Sequence, residues 1–117
     1  MTVAFDLMDY LKDSQCLDKI FSGTPSPQGV LIGTIPAGSE VAFVLCDVVS
    51  VFDGGAYITV GDVVAEGRLM ASADACLTAV NGYLASPNVV YNSDTDLYVF
   101  VQGTPARGVG RIRVFYY

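Results

Sequence analysis

Twelve consecutive residues from Val41 to Phe52, VAFVLCDVVSVF, carry a single charge, at Asp47, and turn-forming residues close both ends. Pro36-Ala37-Gly38-Ser39 lies before the run and Asp53-Gly54-Gly55 after it. Branched and aromatic side chains dominate the run and favour a pleated, half-buried surface. A strand from Glu40 to Phe52 is expected. Val41, Phe43 and Leu45 then share one face, and Ala42, Val44, Cys46 and Val48 the other. Both faces are apolar, so both are covered, or a partner covers one. Thirteen residues exceed the usual strand length, which predicts a bulge or bend near Asp47.

The turns around this strand set the rest of the chain. Pro36 is expected at the second position of its turn, with Gly38 where a positive φ is needed. Asp53, Gly54 and Gly55 are read as closing a hairpin onto a strand from Ala56 to Val60, which Gly61 and Asp62 end. Earlier, Leu17 to Phe21 reads as extended. The segment from Gly23 to Gly29 reads as a loop, since Pro25 and Pro27 remove donors and no strand should pass. Val30 to Ile35 reads as a strand. Later, Val63 to Leu77 is irregular and Asn81-Gly82 signals a turn. Val89 to Tyr91, Asp96 to Gln102 and Gly110 to Tyr117 read as strands, with Asn92-Ser93-Asp94 and Gly103 to Gly108 between them. In the last strand Ile112, Val114 and Tyr116 alternate with Arg111, Arg113, Phe115 and Tyr117. Strands with turn signals about every 8–12 residues imply an all-β, antiparallel β-sandwich or jelly roll.

The N-terminus differs. Val3, Leu7, Tyr10, Leu11 and Leu17 fit a helical stripe, although Val3, Phe5 and Leu7 also fit a strand. A short helix around Asp6 to Lys12 is expected. Residues 1–24 are read as an N-terminal helix or arm, part of the same unit as a sandwich over residues 25–117. The helix caps one end of the sandwich, or the arm packs on a neighbouring subunit.

Chemistry is scarce. With no histidine in 117 residues, Ser-His and Cys-His nucleophile pairs are excluded, and so is the commonest metal ligand. No phosphate-binding loop, HExxH or GxSxG occurs. Glycosidase chemistry needs two carboxyl groups about 5 to 9.5 Å apart across a groove. Asp53 and Asp62 sit at opposite ends of a strand, and Asp94 and Asp96 flank a turn. Asp53, Asp62 or Asp94 has oxygen donors suited to calcium, but no calcium-loop spacing surrounds them. No catalytic residue, metal or cofactor is expected. Cys16, Cys46 and Cys76 are odd in number and form no CxxC, which favours reduced thiols. A net charge of −6, with bases scattered except for the pair Arg111 and Arg113, argues against nucleic acid and anionic membrane as partners. The N-terminus does not read as a signal peptide, and no apolar stretch is long enough for a membrane helix. Only 15% of residues are charged against an average of about 25%, so some apolar surface should meet a partner. Tyr83, Tyr91, Tyr98, Tyr116 and Tyr117 suit an interface or a sugar-stacking platform.

Several segments together carry a resemblance. They are Phe5-Asp6-Leu7, Ile35-Pro36-Ala37-Gly38, Phe52-Asp53-Gly54-Gly55, Val60-Gly61-Asp62, Arg68-Leu69-Met70, Asn81-Gly82-Tyr83 and Arg111-Ile112-Arg113-Val114. In these the chain resembles small tailed-bacteriophage virion proteins, short β-sandwich or jelly-roll proteins encoded among head genes. The cysteines and the Pro25–Pro27 loop depart from that pattern. The resemblance implies a non-enzymatic decoration, or cement, protein on the capsid exterior, made in the host cytoplasm. Its implied partners are the major capsid protein and itself, as a homo-oligomer, a trimer. Candidate interface residues are Phe5, Leu7, Tyr10, Leu11, Phe115 and Tyr117. Pro36, Gly38, Asp53, Gly54, Gly55, Gly61 and Asp62 are structural turn residues. The alternatives are a carbohydrate- or host-receptor-binding module and a tail or baseplate component.

Overall fold

The computed structural model describes residues 14–117. The expected helix and the candidate contacts Phe5, Leu7, Tyr10 and Leu11 lie outside the described residues. Eight strands follow in order: β1 (Gln15–Ser22), β2 (Ser26–Ile35), β3 (Ser39–Ser50), β4 (Tyr57–Gly61), β5 (Gly82–Ala85), β6 (Val89–Tyr91), β7 (Thr95–Gln102) and β8 (Val109–Tyr116). One single-turn 3-10 segment, Ser72–Asp74, interrupts the irregular stretch between β4 and β5.

All the strand pairs are antiparallel and fall into two sheets. The larger has the order β1-β8-β3, with β5 and β6 both paired to the far edge of β3. The smaller has the order β2-β7-β4. The Cα envelope measures 40 × 39 × 19 Å. The short dimension suits two sheets packed about 10 Å apart. The chain is therefore an antiparallel β-sandwich, as the strand spacing predicted. The larger sheet begins at Gln15, so the extended reading of Leu17 to Phe21 holds and that segment pairs along its length with β8.

The core lies between the sheets. Val44, Cys46 and Val48 of β3 and Ile112 and Val114 of β8 meet Leu97, Val99 and Val101 of β7 and Ile58 and Val60 of β4. The alternation read in β7 and β8 is the one observed.

Four local expectations need correction. Pro27 does not bar a strand, because β2 runs through it on the edge of the small sheet, where a missing N–H is tolerated. Pro27, Gln28 and Gly29 bulge out between the pairs Ser26–Val101 and Val30–Val99, opposite Phe100. A Cβ on Gly29 would lie 2.8 Å from the Phe100 ring, so the bulge closes over that side chain, which is buried although it lies on the outward face of β7. In the next turn Pro36 holds the first position, since its carbonyl accepts from Ser39 N–H at 3.2 Å. Gly38 holds the third with φ 84°, as a type II turn requires.

β3 carries the irregularity expected near Asp47, at Val49, and a second at Ala42 that moves Val41 off the face assigned to it. The extra residue at Ala42 changes the phase of the pleat. Val41 therefore joins Val44, Cys46 and Val48 in the core, while Phe43, Leu45 and Asp47 face outward half-buried. Finally, Asp53-Gly54-Gly55 closes no hairpin. β3 and β4 belong to different sheets, and the turn carries the chain across the sandwich. β5 was not anticipated: Gly82 opens a strand that pairs with β3 from Asp47 to Val44.

Candidate functional site

Two surfaces gather the side chains singled out by the sequence. The first is the outward face of the large sheet. Phe115 stands between Cys16 and Phe43 in register, and Arg113 between Asp18 and Leu45. Arg111 stands between Ile20 and Asp47, and Leu84 flanks Leu45. The arginines do not bond the carboxylates directly opposite them. Arg111 reaches diagonally to Asp18, its Nε donating to Oδ1 at 2.9 Å and its Nη2 to Oδ2. Arg113 reaches diagonally to Asp47, with Nη2 to Oδ2 at 2.6 Å. The hydrogen bond from Arg111 holds the Asp18 carboxyl below its ordinary range. These pairs are partly exposed and screened by solvent, so each contributes little to stability. Their larger effect is to neutralise four charges within an apolar face. Of the expected interface residues, Phe115 is half-buried on this face and Tyr117 lies at its end, bonded through its backbone to Glu40.

The second surface is the end of the sandwich where β3 and β7 begin and β8 finishes. Asp62 organises it. The residue is 3% exposed. Its Oδ1 accepts from the backbone N–H of Val64 at 3.0 Å and of Ala65 at 2.9 Å. Its Oδ2 accepts from Arg68 Nε at 2.7 Å and from the Tyr91 hydroxyl at 2.9 Å. Burial pushes the carboxyl up, but the hydrogen bonds from Arg68, Ala65, Tyr91 and Val64 outweigh it and hold the group below its ordinary range. Burial, together with the bond to Asp62, pushes the Tyr91 hydroxyl well up. A groove of about 340 Å³ runs beside this hub, lined by Val63, Val64, Arg68, Val90, Tyr91 and Thr95 among others.

The opposite end uses the same device. Asp53 Oδ1 accepts from Ala106 N–H at 2.7 Å and Arg107 N–H at 3.1 Å, and these bonds lower its pKa. Each of the carboxylates considered for catalysis or calcium is bonded to nearby groups, and Asp53 lies at the opposite end from Asp62. Asp94 accepts from Ala37 N–H at 2.8 Å and Asp96 from the Thr34 hydroxyl at 2.6 Å. Among the described residues no group of three or more Cys, Asp or Glu side chains is placed to hold a metal. The tyrosines do not assemble into one platform: Tyr91 is buried against Asp62, Tyr83 and Tyr116 pack against the core, and Tyr98 faces out from the small sheet beside Phe100. All three thiols are free. Burial pushes the Cys46 thiol up to about 12, so it packs as a small apolar group and does not react.

The depressed carboxyls make an acid-sensitivity prediction. Asp18, Asp53 and Asp62 all titrate lower when folded than their ordinary value of about 3.9. Their stabilisation is complete above that value, where the unfolded chain is also ionised. It is lost as pH falls toward the folded-state values, because the unfolded chain binds protons first. Thermal melts should show Tm falling between about pH 5 and pH 3. Asp62→Asn should flatten that fall, and an unchanged slope would remove Asp62 from the explanation.

No protein-family model matches the sequence, and no curated protein matches it. Solved structures do share the fold. A chain of the Cyanophage Pam1 capsid asymmetric unit superposes with a TM-score of 0.70 at 18% identity, over 90% of this chain and 84% of that one. A chain of the acidic stable capsid structure of Helicobacter pylori bacteriophage KHP30 gives 0.69 at 16%, over 88% and 86%. A chain of the capsid of Ralstonia phage GP4 gives 0.63 at 17%, over 89% and 83%. The alignments take in most of both partners, so the matched chains are themselves small. At these identities the likeness establishes a shared sandwich.

Proposed function

We propose that this chain is a non-enzymatic structural protein of a phage virion, which binds the assembled capsid shell from outside as a homo-oligomer and stabilises it. The observation that carries this reading is the whole-chain likeness to small chains within three phage capsid structures. The chemistry agrees: its carboxylates hold turns and cross-strand pairs, and its buried thiol is inert. A shell presents many copies of one site, so a small rigid module that also self-associates gains avidity through effective concentration. The half-buried outward residues Leu45 and Phe115, set among neutralised ion pairs, suit contacts between copies. A trimer at a local three-fold axis is the arrangement proposed.

The test uses shells stripped of this protein, from the virus that encodes it. Adding the purified chain should saturate at a fixed number of copies and raise the rupture temperature of the shells. Rupture at the same temperature with and without bound protein would contradict the stabilising role.

A further inference from the structure

We propose that the shell-facing surface is the end of the sandwich built on Asp62, with the Val63–Val64 turn and its adjoining groove seating on a basic protein surface that offers an apolar socket. This rests on the shell-binding reading above and names the face that carries it out.

Val63 and Val64 are 75% and 85% exposed, the most exposed large apolar side chains among the described residues. They are nevertheless fixed. Asp62, buried beneath them, takes the N–H groups of Val64 and Ala65 and is itself held by Arg68 and Tyr91. A pre-ordered apolar tip loses little freedom on binding. Burying the two valine side chains takes apolar surface out of water, which favours binding. Val90, 54% exposed, continues the apolar surface from the groove onto β6.

Charge selects the partner. Each of the four arginines among the described residues is already paired with an aspartate: Arg68 with Asp62, Arg107 with Asp53, Arg111 with Asp18 and Arg113 with Asp47. Among the described residues, the carboxylates left without an ion pair include Glu40, Asp94 and Asp96. All three lie at this end. Glu40 pairs in register with Val90, Asp94 caps Ala37 in the turn between β2 and β3, and Asp96 opposes Thr34. An apolar tip at an end of the sandwich that carries uncompensated acids is complementary to a socket rimmed by Lys or Arg, and such a contact weakens with salt.

The experiment measures cosedimentation with stripped shells at low and high salt. Val63→Ser/Val64→Ser removes the tip at exposed positions, where folding should be little affected. Glu40→Gln/Asp94→Asn/Asp96→Asn removes the charge and keeps the oxygen that caps Ala37. Val49→Ser/Val80→Ser, at the opposite end, is the control. The tip variant should bind at least about tenfold more weakly, given the area buried. The charge variant should lose most of the salt dependence, and the control should bind like wild type. The inference is overturned if the tip variant binds like wild type, if only the control loses binding, or if the tip variant loses binding solely because its oligomeric state changes. Failure of the wild-type protein to cosediment would instead overturn the shell-binding reading on which the inference stands.

Discussion

Replacing Asp62 with alanine is expected to lower stability by about 3 to 4 kcal/mol, because four donors lose their acceptor at once. The donors are not equivalent. Arg68 is partly exposed and can turn to water. The N–H groups of Val64 and Ala65 sit in a surface turn and can partly hydrate. The Tyr91 hydroxyl is buried and would be left without a partner, which alone costs about 1 to 3 kcal/mol. Tyr91→Phe removes donor and hydroxyl together, so it should cost only about 1 kcal/mol. In a domain of this size the alanine variant should melt about 10 to 15 °C below wild type. Hydrogen exchange should show the 62–65 turn opening well before the core. A melt within about 2 °C of wild type would mean that the hub contributes little.

The second large effect is at Gly54. Its φ is +65°, and a Cβ built there would lie 2.0 Å from the carbonyl oxygen of Thr104. That approach exists because the Gly54 carbonyl accepts from both the N–H and the hydroxyl of Thr104, at 3.0 and 3.1 Å. The pair of bonds ties the 53–56 turn, where the chain crosses between sheets, to the loop entering β8. Gly54→Ala adds a left-handed strain of about 1 to 2 kcal/mol and forces the two backbones apart, losing both bonds. A loss of about 3 to 4 kcal/mol is expected. Gly55 separates the two causes. Its φ is also +65°, but a Cβ there meets nothing within 4 Å. Gly55→Ala should therefore cost only the strain, about 1 to 2 kcal/mol. Equal losses at the two positions would show that the contact with Thr104 is unimportant.

These two sites mark how far the sequence could be read. The strands were legible wherever the alternation ran unbroken, as in β7 and β8. A bulge defeats that reading, because one extra residue at Ala42 moves Val41 to the opposite face without changing the composition. Pro27 misled for a related reason, since its effect depends on whether the strand lies at an edge, which is a property of the sheet. Sequence singled out Asp53, Gly54 and Asp62 as turn residues, but not what they hold. The partners Thr104 and Ala106 of the 53–56 turn are some 50 residues away, and Tyr91 is 29 residues from Asp62. Likewise Arg111 and Arg113 were visible as neighbours on one face, but their bonding partners Asp18 and Asp47 come from the strands on either side. The exposed valine pair carried a signal that could have been used. Val63-Val64 follows a turn aspartate in a stretch with no strand period, where two branched apolar residues have no core to enter.

Imaging tests the central claim most directly. Particles of the encoding virus should be reconstructed with the protein present and after its removal. The account predicts density on the outer shell surface that fits a sandwich about 19 Å thick, repeats with the lattice, and points the Asp62 end toward the shell. Identical shells in the two maps, or density for this chain confined to the tail, would contradict it.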